Sequence, residues 1–415
     1  MTNLFAPRAV AADLTRPTLI SFVDLARWLA AMLVMVGHLR NPLLVGYGDI
    51  PAGGNPLWVK GWYFITGLHA EAVLVFFVLS GFLVGGLAAA RMTEGKFDPP
   101  GYAVDRFARL YISFLPALVL TLLLDTIGTH WFASSGMWDA SQLQMAIKDP
   151  DKLYGLRLGL GTFLGNAAML QFYFVDPFGS NDPLWTLSSE FWFYAVFGLA
   201  VTAMLRRGAT RLFLAALALA AILALGPLFV SYFGMWLIGF GVACLKPRKV
   251  GPTWLALLTL LAYLAFIRSH TDFFAVSLDR KIGSNYGLAL VFGWLIMTLR
   301  GRTVPLLDRL AGPNKFMADF SYSLYLIHFP IIWLSIAVLG RVSGNPGYFT
   351  GFAPTDPVGL ASYFGIVAFV IVLAWAFAQV TERHTKTLRD ALKRRLIKRP
   401  KPDQPEPDRG HGGFE

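Results

Sequence analysis

Residues 19–44 read LISFVDLARWLAAMLVMVGHLRNPLL, and the class of fold follows from this stretch. It is apolar and long enough to cross a bilayer, which takes about 20 helical residues. It nevertheless contains Asp24, Arg27 and His38. A charged side chain at membrane depth costs at least a few kcal/mol, so such residues indicate a functional site by default. Arg27 and His38 are about three helical turns apart and therefore share one helix face, about 16 Å from each other. The alternative is that either residue snorkels or pairs for structural reasons only.

The composition of the 415-residue chain extends this conclusion to the whole protein. It is 55% hydrophobic and only 15% charged, with a mean hydropathy of +0.54. Soluble domains carry about 25% charged residues, so the class of soluble globular proteins is excluded. Cys244 is the single cysteine, which rules out an internal disulfide. The sequence predicts an all-α, polytopic membrane helix bundle whose first span is retained as an anchor, because no cleavable signal peptide is evident.

Apolar runs predict about ten transmembrane helices. The predicted division of the chain is a cytoplasmic N-terminal leader at residues 1–18, a membrane domain at 19–385 and a basic, disordered cytoplasmic tail at 386–415. The membrane domain includes an external loop at about 128–185. Segment 158–175 is apolar but interrupted by Gly, Asn and Gln, and is interpreted as interfacial or re-entrant. The predicted spans are 20–42, 65–90, 107–127, 187–206, 211–229, 231–246, 253–268, 285–300, 320–340 and 359–380.

The charges of the connecting segments predict the orientation. With the N-terminus inside, the inner segments hold 26 Lys and Arg residues and the outer segments nine. This asymmetry favours a multi-pass protein of the plasma (inner) membrane with both termini in the cytoplasm. An eleventh span at 158–175 would reverse every later loop and destroy the asymmetry. The external loop is long enough to form a lid or an acceptor platform.

Three further groups interrupt apolar runs. Arg106 and Arg109 share a helix face at the inner entrance, where two guanidinium groups match phosphate oxygens; the positive-inside rule alone also accounts for arginines there. Glu190 is flanked at helical spacing by Thr186 and Tyr194, and the span boundaries place it at the depth of His38, where a carboxylate would orient the imidazole.

The third group is a polar stripe formed by Ser321, Tyr325 and His328. The boundaries place His328 near the level of Arg27, and the stripe is either part of the site or a hydrogen-bonded helix contact. Ser80 precedes a G-x-x-x-G spacing that favours close helix packing. His69 and Glu71 are expected to face an external vestibule and are weaker candidates for the site. The scattered histidines lack the spacing of metal ligands, so no metal site is expected.

Six motifs, in order over about residues 20–385, resemble the integral-membrane acyltransferase 3 family, which includes O-antigen and exopolysaccharide O-acetyltransferases. The chain departs from the family pattern at Leu74, in WTLSSE, and at Glu382-Arg383-His384, where a Glu-x-Pro is usual. The matching pieces are Arg27-x10-His38, FFVLSGFL at 76–83, Arg106-x-x-Arg109, WTLSSEFWFY at 185–194, SYSLYLIH at 321–328, and Glu382 after the last span.

The resemblance implies transfer of an acyl group, usually acetyl, from cytoplasmic acyl-CoA (acetyl-CoA) to a hydroxyl of a carbohydrate or glycoconjugate. Acyl-CoA is then a donor substrate, and no permanently bound cofactor is expected. Arg106 and Arg109 would hold CoA phosphates, and His38 would act as general base oriented by Glu190, or as a nucleophile carrying the acyl group. The residues expected to line the route or polarise the thioester carbonyl are Arg27, Ser80, Trp185, Ser188, Tyr325 and His328.

Two other function classes are compatible with intramembrane charges. A transporter or flippase for a polar, lipid-linked sugar would use them as a translocation path. The sequence lacks the internal repeat common in transporters, and the inner arginine pair favours a phosphorylated donor. A scaffold or sensor would tolerate loss of His38, Glu190 or Arg27. No nucleic-acid partner is expected; the expected partners are acyl-CoA, the acceptor and the bilayer.

Overall fold

The computed structural model describes residues 5–50, 56–139, 156–270 and 278–397, and these residues form helices and loops with only isolated β-bridges. The predicted all-α bundle is confirmed. Short 3-10 or π turns lie at Tyr47–Asp49, Gly81–Gly85, Ala133–Ser135, Asp182–Leu184 and Glu382–His384. The α-helices are α1 Ala9–Asp13, α2 Pro17–Leu43, α3 Leu57–Thr66, α4 His69–Ser80, α5 Gly86–Thr93, α6 Pro99–Trp131, α7 Leu160–Ala167, α8 Trp185–Met204, α9 Gly208–Cys244, α10 Thr253–Ser269, α11 Leu278–Leu299, α12 Pro305–Arg309, α13 Ala311–Ala318, α14 Ser321–Ser343, α15 Gly347–Thr350, α16 Pro357–Val380 and α17 Thr385–Leu396.

Eight helices in the described part of the chain are long and apolar enough to cross a membrane, and α10 is a shorter apolar helix of 17 residues. The 37-residue α9 bends at Gly226, whose φ of 80° and ψ of −174° are not helical. Phe229 packs on Phe193 of α8 at 5.5 Å and Phe240 packs on Phe197 at 5.1 Å, so the second limb of α9 runs parallel to α8, opposite to the first limb. Both ends of α9 therefore lie at one end of the bundle. Counting its two limbs separately and adding α10 gives the ten predicted segments.

The G-x-x-x-G spacing brings two spanning helices into contact. A Cβ built on Gly81 would lie 1.8 Å from the Trp236 carbonyl oxygen, and one on Gly85 would lie 2.9 Å from the Trp236 ring. Only glycine allows the backbone of α9 to approach this closely. The interpretation of these glycines as packing residues is confirmed.

Two polar segments enter the bundle from opposite ends and shift the helices that follow them. At the end where α2 begins, Trp28 of α2 donates to Asn314 of α13 at 3.1 Å, so α14 starts at Ser321, within the bundle. At the other end, Asn181 donates to the carbonyl of Leu326 at 2.9 Å. The start of α8 therefore lies beside α14 and beneath this segment.

Segment 158–175 contains the eight-residue α7 followed by irregular backbone. Asn166 and Gln171 of this segment are fully buried. Asn166 donates to the carbonyl of Asp176, and Gln171 donates to that of Leu184. The segment thus packs into the bundle as a compact cover over the start of α8 and does not span it.

The basic tail was predicted to be disordered from residue 386, and this is wrong for its first part. Residues Thr385–Leu396 form α17, which packs on α6. Lys393 forms an ion pair with Asp105 at 2.7 Å. The remaining residues, 398–415, lie outside the described part of the chain.

Candidate active site

A cavity of about 770 Å³ lies at the end of the bundle where α2 and α6 begin, which is the predicted cytoplasmic end. Its charged lining comes from α2, α6, α8, the residue after α13 and the segment after α16, so five separate parts of the chain converge there. The predicted residues that line it are Arg27, Ser80, Arg106, Arg109 and Glu190.

Arg109 is held in place by Glu382. Its Nη1 donates to Glu382 Oε1 at 2.7 Å, and its guanidinium lies 4.8 Å from the centre of the Tyr322 ring. The second oxygen of Glu382 accepts from the backbone N–H of Ser323 at 3.2 Å and from its hydroxyl at 3.1 Å. Glu382, whose role was open at the sequence level, thus orients Arg109 without the usual proline two residues later.

Arg106 is arranged differently from Arg109. Its guanidinium lies 5.7 Å from the centre of the Tyr194 ring, and its buried Nε has no hydrogen-bond partner among the described residues. Arg27 lies 3.8 Å from Asp24 and also lines the cavity. With Arg383, which also lines the cavity, it presents one guanidinium group held by an ion pair to Glu382 and three less constrained ones, an arrangement suited to a polyanion.

Glu190 belongs to a chain of hydrogen bonds within this cavity. The Tyr194 hydroxyl donates to Glu190 in a short hydrogen bond and lies 3.0 Å from Ser80 Oγ. Trp236 Nε1 in turn donates to Ser80 Oγ at 3.1 Å. Because Trp236 can only donate and an ionised Glu190 only accepts, the chain runs from tryptophan through serine and tyrosine to the carboxylate. Its members fix the carboxylate in one orientation.

A smaller cavity of about 110 Å³ continues from the first into the bundle. The two share Arg27, Arg109, Glu190 and Tyr194, and the smaller one extends to Tyr325. The Tyr325 hydroxyl lies 2.8 Å from that of Thr186, and its ring centre lies 5.9 Å from that of His328. The lining thus forms a route from the end of the bundle to Tyr325, which contacts His328.

His328 and His38 form a directed pair. His328 is fully buried, and its Nδ1 lies 2.8 Å from the Tyr325 carbonyl oxygen. A carbonyl only accepts, so Nδ1 of His328 carries the proton and its Nε2 has the lone pair. That Nε2 lies 2.9 Å from His38 Nδ1, which must therefore donate. The hydrogen bonds thus assign the lone pair of neutral His38 to Nε2, the atom that a general base or nucleophile needs.

The partner of His38 corrects the prediction that Glu190 orients it. The imidazole is oriented by His328, while Glu190 bonds Tyr194 and lines the cavity with Arg27. His328 is also not at the level of Arg27, as predicted, but at that of His38. Both errors have one cause, namely that α8 and α14 begin inside the bundle. Counting residues from an assumed membrane surface therefore gives the wrong depth for Glu190 and for His328.

His69 was ranked low, but its ring centre lies 5.5 Å from that of His38. Gly37 permits this approach, since a Cβ there would lie 2.9 Å from His69 Cβ. The signal available in the sequence was the glycine immediately before His38. His69 thus forms the third aromatic wall of His38 with His328 and Phe329.

Trp185 and Ser188 are not among the lining residues of these two cavities. Ser188 donates to the Met169 carbonyl at 2.6 Å, and the Trp185 ring packs on Phe172 at 4.7 Å. Both side chains hold the cover segment against α8. Within the described ranges, no group of three His, Cys, Asp or Glu residues is arranged to hold a metal ion.

The chain is similar to acyltransferases. The acyltransferase MdmB of Streptomyces mycarofaciens is 24% identical over 373 residues, covering 83% of this chain and 86% of that protein. No solved structure matches the chain. A family model described as an acyltransferase domain, that of the acyltransferase 3 family, matches residues 20–379. Since this match runs from the first spanning helix to the last, the chain belongs to that family and is a multi-pass membrane acyltransferase.

Proposed function

We propose that this protein transfers an acetyl group from cytoplasmic acetyl-CoA to a hydroxyl of a carbohydrate or glycoconjugate at the outer side of the plasma membrane. One observation carries the proposal. An arginine-lined cavity at the predicted cytoplasmic end continues through a narrow cavity to Tyr325, beside the His38–His328 pair.

The donor site follows from the charges of the first cavity. CoA carries several phosphate groups on one end and its thioester on a long, thin arm. Arg106, Arg109 and Arg27 offer charge-assisted hydrogen bonds to the phosphates. The narrow second cavity admits only an extended chain, so the arm would point toward His328 and His38. Arg27 lies about 16 Å from His38 along α2, which assigns it to the route and not to the reacting carbonyl.

The chemical step needs one base at the inner end of the acceptor site. His38 Nε2 takes the proton from the acceptor hydroxyl as its oxygen attacks the thioester carbon. The resulting tetrahedral intermediate collapses with cleavage of the carbon–sulfur bond, and His38 returns the proton to the CoA thiolate. The products are the O-acetyl ester and free CoA. His328 supports the step by accepting from His38 Nδ1–H, which stabilises the imidazolium formed on the way.

The similarity to MdmB supports acyl transfer, since that protein is itself named an acyltransferase. The carbohydrate acceptor is supported by the motif resemblance to polysaccharide O-acetyltransferases. The positive charge on the predicted inner segments supports the cytoplasmic position of the donor.

The donor proposal is tested by thermal unfolding of the detergent-purified protein with and without acetyl-CoA. Acetyl-CoA should raise the Tm of the wild type. Arg106→Gln should lose most of that rise, because Arg106 lines the cavity and has no ion-pair partner among the residues that the structure describes. Lys246→Gln, an exposed cation at the same end, is the matched control and should keep the rise. A transporter would bind sugar without any response to acetyl-CoA.

The reaction is tested by mass spectrometry of surface glycans and lipids from cells with and without the protein. One added acetyl group per acceptor, absent in cells that carry His38→Ala, is the expected result. Identical glycans and lipids in both kinds of cell would contradict the proposed reaction.

A further inference from the structure

A second polar cavity, of about 340 Å³, lies at the opposite end of the bundle. It is built from the end of α2, the loop after it, α3 and the end of α10. Its lining includes Arg40, Lys60 and Arg268, and no aspartate or glutamate is among the described residues that line it. Arg40 lies about 20 Å from Arg27 along α2, so this site is separate from the donor cavity.

Arg40 is the strongest sign that the cavity holds an anion. Its side chain is buried, with the residue only 7% exposed. Its hydrogen bonds go to neutral oxygens, namely the Tyr63 carbonyl at 3.3 Å, Thr66 Oγ1 at 3.4 Å and Asn41 Oδ1 at 2.7 Å. A buried charge is costly unless an opposite charge compensates it. A bound anion would supply that compensation.

The number of cations indicates which anion fits. The Arg268 guanidinium lies directly on Gly67, because a Cβ there would be 2.4 Å from Nη2. Arg268 thereby faces the same space as Arg40, and the exposed Lys60 adds a third positive charge. Glu71 interacts with Arg268 and offsets part of this charge, but the three cations still exceed what one carboxylate needs. They match a phosphate group, which carries up to two negative charges and three acceptor oxygens.

Aromatic rings lie beside these cations. The Tyr47 and Tyr63 ring centres are 5.6 Å apart, and both residues line the cavity with Phe64. Such rings offer flat apolar surface to the C–H face of a sugar while the charged groups hold its phosphate. The site therefore combines the two features that a phosphorylated sugar requires.

The cavity lies at nearly the same depth as the catalytic histidine. Arg40 follows His38 by two residues, about 3 Å along α2, and the two side chains leave the helix about 200° apart. Gly67, which supports Arg268, precedes His69 by two residues, and His69 contacts the His38 ring. An acceptor anchored by its phosphate in this cavity would therefore reach His38 by extending past Gly67 and His69.

We infer that the outer cavity anchors the acyl acceptor and that this acceptor carries a phosphate beside its sugar ring, as lipid-linked and phosphate-bridged sugars do. The inference rests on the proposed function for the role of the cavity, but the binding of a sugar phosphate can be tested by itself.

The test is binding of glucose 1-phosphate and of glucose to the full-length protein in phosphatidylcholine nanodiscs, measured by calorimetry. Wild type should bind glucose 1-phosphate with a Kd at least about tenfold lower than that for glucose. Arg268→Gln and Lys60→Gln should remove this preference. Arg40→Gln should also remove the preference, but Arg40 is buried and this variant is less certain to fold. Lys60 is exposed and Arg268 is half-buried, so their variants test the cavity even if Arg40→Gln does not fold.

The controls separate the possible failures. Arg341→Gln, at the same end but outside the cavity lining, and Arg106→Gln, in the donor cavity, should keep the preference. Equal binding of the two sugars, or an unchanged preference in Arg268→Gln, would overturn the inference. So would retention of phosphatidylglycerol by wild type and not by Arg268→Gln, without sugar-phosphate binding, since the cavity would then hold a lipid headgroup. If acetyl-CoA did not raise the Tm of the wild type but glucose 1-phosphate still bound, the donor proposal would be contradicted and the inference of a phosphate site would be unaffected.

Discussion

At the scale of single residues, the roles of the two histidines follow from one backbone carbonyl. The Tyr325 carbonyl fixes the tautomer of His328, and His328 fixes that of His38. His38 is half-buried and is the more exposed member of the pair, whereas His328 is fully buried. In the proposed reaction His38 is therefore the catalytic residue and His328 the positioning residue.

Substitutions of His328 should therefore depend on whether the new side chain accepts a hydrogen bond. His328→Leu leaves His38 Nδ1–H without an acceptor and should lower kcat by about a hundredfold, the lower end of a general base's contribution. His328→Gln offers an amide oxygen and should retain more activity, with KM for acetyl-CoA unchanged in both variants. Steady-state kinetics of purified variants measure this. Equal activity of the two variants would show that His328 only fills space.

At the scale of elements, the apolar runs of the sequence were enough to find the spanning helices, because a membrane span must be apolar along its length. The apolar runs did not give the depth of each helix in the bundle. Residues 156–184 and 305–318 are connecting segments by composition, yet their side chains Asn181 and Asn314 bond to spanning helices inside the bundle. A depth counted from an assumed surface therefore paired His38 with Glu190, when it pairs with His328. The hairpin of α9 was predictable, since Gly226-Pro227 interrupts a run too long for one span.

The bend of α9 gives a prediction at this scale. Gly226 has a φ of 80° and a ψ of −174°, and a Cβ there would meet no atom within 4 Å, so Gly226→Ala should cost only backbone strain, about 1–3 kcal/mol. Gly241→Ala is the matched control, because it also meets no atom but has no positive φ, and it should leave stability unchanged or slightly raised. Unfolding of both variants in detergent measures the difference. Equal stability of the two would contradict the strained bend.

At the scale of the whole molecule, the account depends on which side of the membrane each cavity faces. In a Cys244→Ala background, Arg206→Cys lies at the end of the donor cavity and Val342→Cys at that of the outer cavity, and both positions are exposed. A membrane-impermeant maleimide should label position 342 in intact cells and position 206 only after permeabilisation. The reverse pattern would show that the protein has the opposite orientation, with its donor cavity facing away from the cytoplasm, where acetyl-CoA is.

The central claim is that His38 performs the transfer at the inner end of the acceptor site. The most direct measurement is acetyl transfer from labelled acetyl-CoA by membranes that contain equal amounts of folded wild type and His38→Ala. We expect the variant to lose at least about a hundredfold in rate while its Tm still rises with acetyl-CoA, because the donor cavity is intact. Wild-type activity in His38→Ala would contradict it.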